Sequence, residues 1–157
     1  MEPRSADEMF VVRGEVVLGD QRGRTIGFPT ANVGLEHSPL ADGVWAGWLE
    51  CRGQRRVAAI SIGSRPTFYA CNGIRLAEAH VLDFDEDIYG EVVTVWMCAH
   101  LRDQMRFGSV DDLVVQLHAD VAATRVWATA PAAVDASIAE LLATVPMGRA
   151  LAIAANG

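Results

Sequence analysis

The chain has 157 residues, 51% hydrophobic and 21% charged, with a formal net charge of −7. That length suits one domain with a real core, and the acidic balance disfavours a nucleic-acid partner, whose phosphates need a basic face. Cys51, Cys71 and Cys98 lie far apart with no CxxC pair, which reads as reduced thiols rather than a disulfide framework or zinc site. The polar, acidic start MEPRSADEMF is unlike a secretory signal, and no apolar run approaches a membrane span. A cytoplasmic protein without a membrane partner is expected.

In chain order, residues 1–9 read as disordered. Phe10 to Leu18 is rich in β-branched residues and interrupted by Gly14, which suits a strand with a bulge or bend. Gly19 to Asn32 is a glycine-rich loop, and Leu35 to Asp42, with His37, Ser38 and Pro39, a surface loop. Gly43 to Cys51 and Arg56 to Ile62 are strand-like runs joined by a hairpin at Arg52-Gly53-Gln54. A turn follows from Gly63 to Thr67. Leu76 to Phe84 is the next strand, with Leu76, Glu78, His80 and Leu82 on one face. The acidic run Asp83, Asp85, Glu86 and Asp87 reads as a solvated turn, and Val92 to Leu101 as a central buried strand.

Beyond Phe107 the pattern turns helical. Ser109 is placed as an N-cap with Asp112 three residues on, and Val110, Leu113, Val114, Leu117 and Val121 recur at helical spacing. This helix is expected to end near Trp127. Pro131 opens an alanine-rich tail, residues 128–157, taken as a helical extension with a second helix to about Thr144; Arg149 to Gly157 have no clear assignment. Strands at short spacing followed by helix predict an all-β core, a small antiparallel β-barrel with C-terminal helical packing, spanning 10–127.

Chemistry concentrates in GDQRGRTIGFPTAN, Gly19 to Asn32. Its glycines let backbone approach a ligand, and successive amides in such turns hold anions. Arg22 and Arg24 add phosphate-matching forks, while Thr30 and Asn32 offer hard oxygen ligands to a phosphate-bound Mg²⁺. Neither familiar nucleotide signature matches, and a glycine-rich hairpin with solvated arginines explains the same letters.

Gly27-Phe28-Pro29-Thr30-Ala31-Asn32 resembles the GFPTAN motif of riboflavin kinases. Further blocks follow in order. Ile60 to Phe68 resembles N-I-G-x-x-P-T-F, with Ser61 where asparagine is commoner, and Glu78 to Phe84 resembles E-x-H-x-L-D-F. Asp87 to Glu91 matches D-x-Y-G-x. Leu101-Arg102 and Phe107 resemble L-R-x-E-x-x-F with Asp103-Gln104 departing from it, and Ser109 to Asp120 resembles the S-x-x-x-L…Q…D helix. The resemblance runs from about Val11 to Arg125. It implies a six-stranded Greek-key barrel, and transfer of the γ-phosphoryl group of ATP to the 5′-hydroxyl of riboflavin, giving FMN and ADP for FMN biosynthesis.

The resemblance implies Glu78 as catalytic base, Thr30 and Asn32 on Mg²⁺ and the nucleotide phosphates, Gly19 and Arg24 near the phosphates, and Tyr89 beside adenine. Arg102 and Phe107 are implied to close over the flavin ring. Bifunctional bacterial relatives carry an adenylyltransferase domain before this module; none precedes Met1 here, so adenylylation is not expected. The partners implied are riboflavin, FMN, ATP and ADP, with the chain a monomer. His80 reads as a hydrogen-bonded strand histidine, and His37, His100 and His118 form no metal set. Trp45, Trp48, Trp96 and Trp127 read as packing. Two readings of other classes stand beside the kinase: an inactive flavin- or nucleotide-binding regulatory module, and a small flavin oxidoreductase, which lacks a dinucleotide fingerprint.

Overall fold

Alternation of apolar residues builds the wall of a barrel. The computed structural model describes residues 8–19, 21–35, 40–64, 75–129 and 150–154. Its strands are β1 (Glu8–Val17), β2 (Ala31–Leu35), β3 (Gly43–Cys51), β4 (Gln54–Ser64), β5 (Arg75–Val81), β6 (Val92–Arg102) and β7 (Ala150–Ala154). A single helical turn, α1 (Arg22–Thr25), and one long helix, α2 (Val110–Thr129), complete the described elements. The strand order β2-β5-β4-β3-β6-β1 closes on itself because β1 also pairs with β2, and every pairing among the described strands is antiparallel. This is the six-stranded Greek-key barrel that the resemblance implies.

Inward residues alternate along each strand: Phe10, Val12 and Val16; Ala31, Val33 and Leu35; Trp45 and Leu49; Ala58, Ile60 and Ile62; Ala77, Ala79 and Val81; Val93, Val95 and Met97. Each large one stabilises the fold by roughly 1.5–3 kcal/mol through burial. A second, smaller cluster lies outside the wall, where Met9, Val11 and Trp96 pack with Trp48 and Cys98, and Trp127 of α2 reaches Trp48 at 5.4 Å between ring centroids. The tryptophans are packing residues, as expected.

Gly14 does not mark a bulge. The β1–β6 register is unbroken from Phe10↔Met97 to Glu15↔Val92. Its role is close approach, since a Cβ there would lie 2.6 Å from Val33 Cγ1. The irregularities fall instead in the β3–β6 pairing, at Val44/Trp45 and Ala46/Gly47. The β3–β4 hairpin turns on Arg52 (φ 52°) and Gly53 (φ 75°) between the paired Cys51 and Gln54. Two left-handed residues match the twist of an antiparallel ribbon. Strand β5 ends at Val81, earlier than expected, and Asp83 turns the chain with φ 56°.

Helix α2 starts where its cap predicts: Ser109 Oγ accepts from the Asp112 amide at 3.1 Å, and Asp111 and Asp112 sit favourably in the first turn. Its apolar stripe is shallower than expected. Val110 is exposed, Leu113, Val114, Leu117 and Val121 are half-buried, and the buried positions are Asp120 and Thr124. Ala46 and Ala59 pair with each other and are buried though outside the inner core. Their small size lets the helix settle on β3 and β4.

The tail departs from its expected helical character. Ala150–Ala154 is a strand, paired with β1 from Glu8↔Ala154 to Val12↔Ala150. On this side β2 pairs with β1 only at Val16 and Val17, so the N-terminal half of β1 has an open edge whose backbone groups need partners. Glu8 and Met9, expected as disordered, therefore belong to β1. The expected second helix falls in residues 130–149, outside the described residues, as do the Leu35–Asp42 loop from 36 to 39 and the Arg65–Phe68 part of the family motif.

At the hairpin, Glu91 accepts from Arg52 Nε (2.8 Å) and from the Cys51 thiol (2.9 Å). The Arg52 and Cys51 hydrogen bonds hold the Glu91 carboxyl below its ordinary range. Burial, and then Glu91 itself, push the Cys51 thiol up to about 11. A depressed carboxyl stabilises the fold above its ordinary pKa, and that contribution is lost as pH falls through the lower, folded value. Glu91→Gln should thus be less stable than the parent at pH 7, with the gap in melting temperature shrinking as pH drops below 4.5. At Gly47 a Cβ would lie 1.7 Å from the Trp96 carbonyl oxygen. Gly47→Ala should cost on the order of 3 kcal/mol in denaturant unfolding.

Candidate active site

The candidate residues follow from strand register. Directly opposed residues share a face of a sheet. Asn32 opposes Glu78, Glu78 opposes Ser61, Ser61 opposes Val44, and Val44 opposes Arg102. One row therefore crosses β2, β5, β4, β3 and β6, with Asn32 at one end, Arg102 at the other and Glu78 next to Asn32. Glu78 is half-buried, while its neighbours Ala77 and Ala79 point into the core. The sheet spacing puts Asn32 and Glu78 about 5 Å apart between strands, and leaves about 14 Å of curved surface from Glu78 to Arg102.

At the Asn32 end a cavity of about 290 Å³ opens between the end of β1, the glycine loop and the acidic turn. Gly19, Arg24, Thr30, Asn32 and Tyr89 all line it, together with Asp85, Glu86 and Asp87. The acidic run is thus part of this wall as well as a turn. Thr30 Oγ1 donates to Asn32 Oδ1 at 3.0 Å, which fixes both oxygens toward one region. Gly19 is required here, because a Cβ would lie 2.0 Å from Asn32 Nδ2. Gly23 is likewise pressed on the Phe28 carbonyl oxygen, 2.2 Å from where its Cβ would stand. Tyr89 is exposed at the rim, its amide donating to Asp87 Oδ1 at 2.9 Å, and Gly90 (φ 80°) donates to the Val16 carbonyl at 2.9 Å.

Among the described residues no cluster of three His, Cys, Asp or Glu side chains could hold a metal ion. The donor set fits Mg²⁺ nonetheless. That cation binds through one or two protein oxygens plus substrate phosphates and waters, and Thr30 and Asn32 supply two adjacent hard oxygens.

At the far end, Arg102 is engaged by the protein itself. Nε and Nη2 donate to Asp120 Oδ1 and Oδ2 at 2.8 and 2.7 Å, and Nη1 donates to the Asp103 carbonyl at 3.1 Å. The side chains of the pair are only 16% and 5% exposed. Gln116 Nε2 also donates to Asp120 Oδ1, at 3.0 Å. The guanidinium lies 6.0 Å from the centre of the Phe107 ring. Arg102 and Phe107 are thus neighbours, and Arg102 ties β6 to α2.

Sequence reasoning did not foresee three contacts. Arg102–Asp120 joins two motif blocks; the Gln116 and Asp120 letters carried that signal without revealing the partner. Ser61 and Gln104, both among the positions that depart from the motifs, meet: Gln104 Nε2 donates to Ser61 Oγ and to the Ile62 carbonyl, both at 2.9 Å. His80 Nδ1 donates to the Pro29 carbonyl at 2.8 Å, and its ring lies against Phe28. His80 is the hydrogen-bonded strand histidine expected, though its partner is the candidate loop.

With this geometry in place, the known proteins it resembles fall into line. A sequence profile described as Flavokinase: Riboflavin kinase matches residues 6–128. The chain belongs to the riboflavin kinase family. It is 40% identical over 116 residues to the Bifunctional riboflavin kinase/FMN adenylyltransferase of Haemophilus influenzae, covering 71% of this chain and 36% of that protein. The chain therefore spans little more than a third of the length of such curated relatives. The riboflavin kinase of Trypanosoma brucei superposes with a TM-score of 0.63 at 25% identity, over 94% of this chain and 98% of that one. A Streptococcus pneumoniae structure titled as a Macrolide-efflux Protein superposes with a TM-score of 0.65 at 45% identity, over 73% and 38%. No helix among the described residues is long and apolar enough to cross a membrane.

Removing the arginine of the buried pair strands a carboxylate away from water. Arg102→Ala should cost about 3–5 kcal/mol in unfolding free energy, whereas Arg102→Ala with Asp120→Ala should cost less than the single change.

Proposed function

We propose that this member of the riboflavin kinase family is itself a riboflavin kinase, transferring the γ-phosphoryl group of ATP to the 5′-hydroxyl of riboflavin. The observation that carries the reading is the row on the barrel's outer face: Glu78 stands between the Thr30–Asn32 corner of the cavity and the Arg102–Phe107 end. Nucleotide phosphates would occupy the corner, with Arg24 and the Gly19 backbone beside them and adenine near Tyr89. The flavin ring would lie toward Phe107, its ribityl chain running along the row to Glu78. Arg102 serves the ring by holding α2 and Phe107 in place, since its own donors are committed to Asp120 and Asp103.

Phosphoryl transfer asks mainly for positioning and charge neutralisation. Glu78 accepts the hydroxyl proton as the riboflavin oxygen bonds to γ-phosphorus; the bond from γ-phosphorus to the ADP oxygen breaks, and FMN and ADP leave. Thr30 and Asn32 would hold Mg²⁺, which neutralises the phosphate charge when bound. Strand β5 keeps Glu78 rigid, and the cavity wall keeps the phosphates from bulk water. The net charge of −7 supports a protein that avoids nucleic acid, and we place it in the cytosol as a monomer.

Purified protein with riboflavin, ATP and Mg²⁺ should yield FMN resolved by chromatography. Glu78→Gln should lower kcat by about 10²–10⁴-fold, and Thr30→Ala should reduce kcat/KM for the metal nucleotide. Riboflavin binding without FMN formation across several divalent metals would overturn the reading. Full activity in Glu78→Gln would keep the kinase and remove its base.

A further inference from the structure

Phe28 is 8% exposed although its neighbours Gly27, Pro29 and Thr30 are exposed. Two histidine rings pack against it. His80 of β5 lies 5.3 Å away between centroids at 58°, and His118 of α2 lies 5.0 Å away, edge to face at 77°. On the barrel side this packing is doubly secured. His80 Nδ1 donates to the Pro29 carbonyl at 2.8 Å, and the Phe28 amide donates to the Gly23 carbonyl at 2.7 Å. From α2, His118 meets the same ring edge to face. That helix is seated separately, through Asp120 and Arg102 two residues further along.

We propose that His118 is a positioning residue for the Pro29–Asn32 segment, tying the phosphate corner to α2 through the Phe28 ring; this rests on the kinase reading above. Thr30 is two residues from Phe28, in a stretch with few side-chain anchors. Its Oγ1 must stay beside Asn32 Oδ1 to present both oxygens together. An edge-to-face aromatic contact contributes beyond the area it buries, and it is directional. Without the His118 ring, Phe28 loses one of its two ring contacts and Thr30 ranges more widely. Glu78 stands on a strand paired on both edges and does not move with it. The loss therefore falls on nucleotide binding and leaves proton transfer in place. His118 is exposed on α2 and replaces no core side chain, so the substitution leaves the fold intact.

The test compares His118→Ala, His118→Phe and a control, Val115→Ala, at a helix position that is 70% exposed. Steady-state kinetics at saturating riboflavin are read beside calorimetric titration with MgADP. His118→Ala should raise KM for MgATP, and weaken MgADP binding, roughly two- to tenfold, the range an aromatic pair supplies, with kcat changed by less than about twofold. His118→Phe should restore both values, and Val115→Ala should match the parent. Parent-like nucleotide affinity in His118→Ala overturns the proposal. So does an impaired His118→Phe alongside an impaired His118→Ala, because the ring contact then is not the cause. If the parent forms no FMN but binds MgADP, the kinase reading fails while the titrations still decide the role of His118. If the parent binds no MgADP, both fall.

Discussion

Closure of the barrel between β1 and β2 is the constraint on which the rest of the structure depends. It rests on two opposed pairs, Val16–Val33 and Val17–Asn32. Such a short seam holds only if the two strands approach closely, and glycine permits that. Gly14 faces Val33 where no Cβ fits, and Gly19 faces Asn32 in the same way. Between these contacts the chain must leave β1, turn and re-enter the sheet as β2 within a short span, so the connecting residues are folded back over the seam. The Thr30–Asn32 corner is a product of that return. Thr30 and Asn32 sit at the entry of β2, and the cavity forms where the loop cannot fill the space above the wall.

Helix α2 is attached in an unusual balance of polar and apolar contacts. Small alanines on β3 and β4 let it come near, Trp127 packs on Trp48, and the charged contact is the Arg102–Asp120 pair. Burying two charges costs solvation, and the pair is tolerable because the guanidinium fork and both carboxylate oxygens are matched. The geometry of that fork fixes the helix in azimuth and height more narrowly than an apolar stripe does. Phe107 just before its start and His118 near its middle inherit that placement. One ion pair thus sets the relation between the Phe107 end of the row and the Thr30–Asn32 end.

Much of the fold was legible in the sequence, and for local reasons. Strand-like runs around a glycine turn predicted the bodies of β3 and β4, and a long apolar run that of β6, because strand preference is carried by local residue type. Ser109 and its acidic followers predicted the start of α2, since a cap acts within one turn. The Gly14 reading went astray because a glycine in a strand signals either a bend or a close approach, and only the Val33 methyl opposite decides between them. The tail went astray for a related reason. Its alanines favour helix, while Ala150–Ala154 answers the vacant edge of β1, more than a hundred residues away in sequence.

The site divides along the same line. By itself the sequence determined which chemistry is available: a glycine- and arginine-rich loop ending in Thr30 and Asn32, a carboxylate at Glu78 on an apolar strand, and a set of motif blocks that place the chain in its family. It did not contain the row. That Asn32 stands beside Glu78, Glu78 beside Ser61, and Arg102 at the far end follows from the register of five strands. Nor did it contain the engagement of Arg102 by Asp120 or of Phe28 by two histidines. Residue type and spacing are local and survive in one dimension. Register, closure and the choice of a salt-bridge partner are settled by which distant backbone and side-chain groups satisfy one another, and that is decided only when the chain is folded.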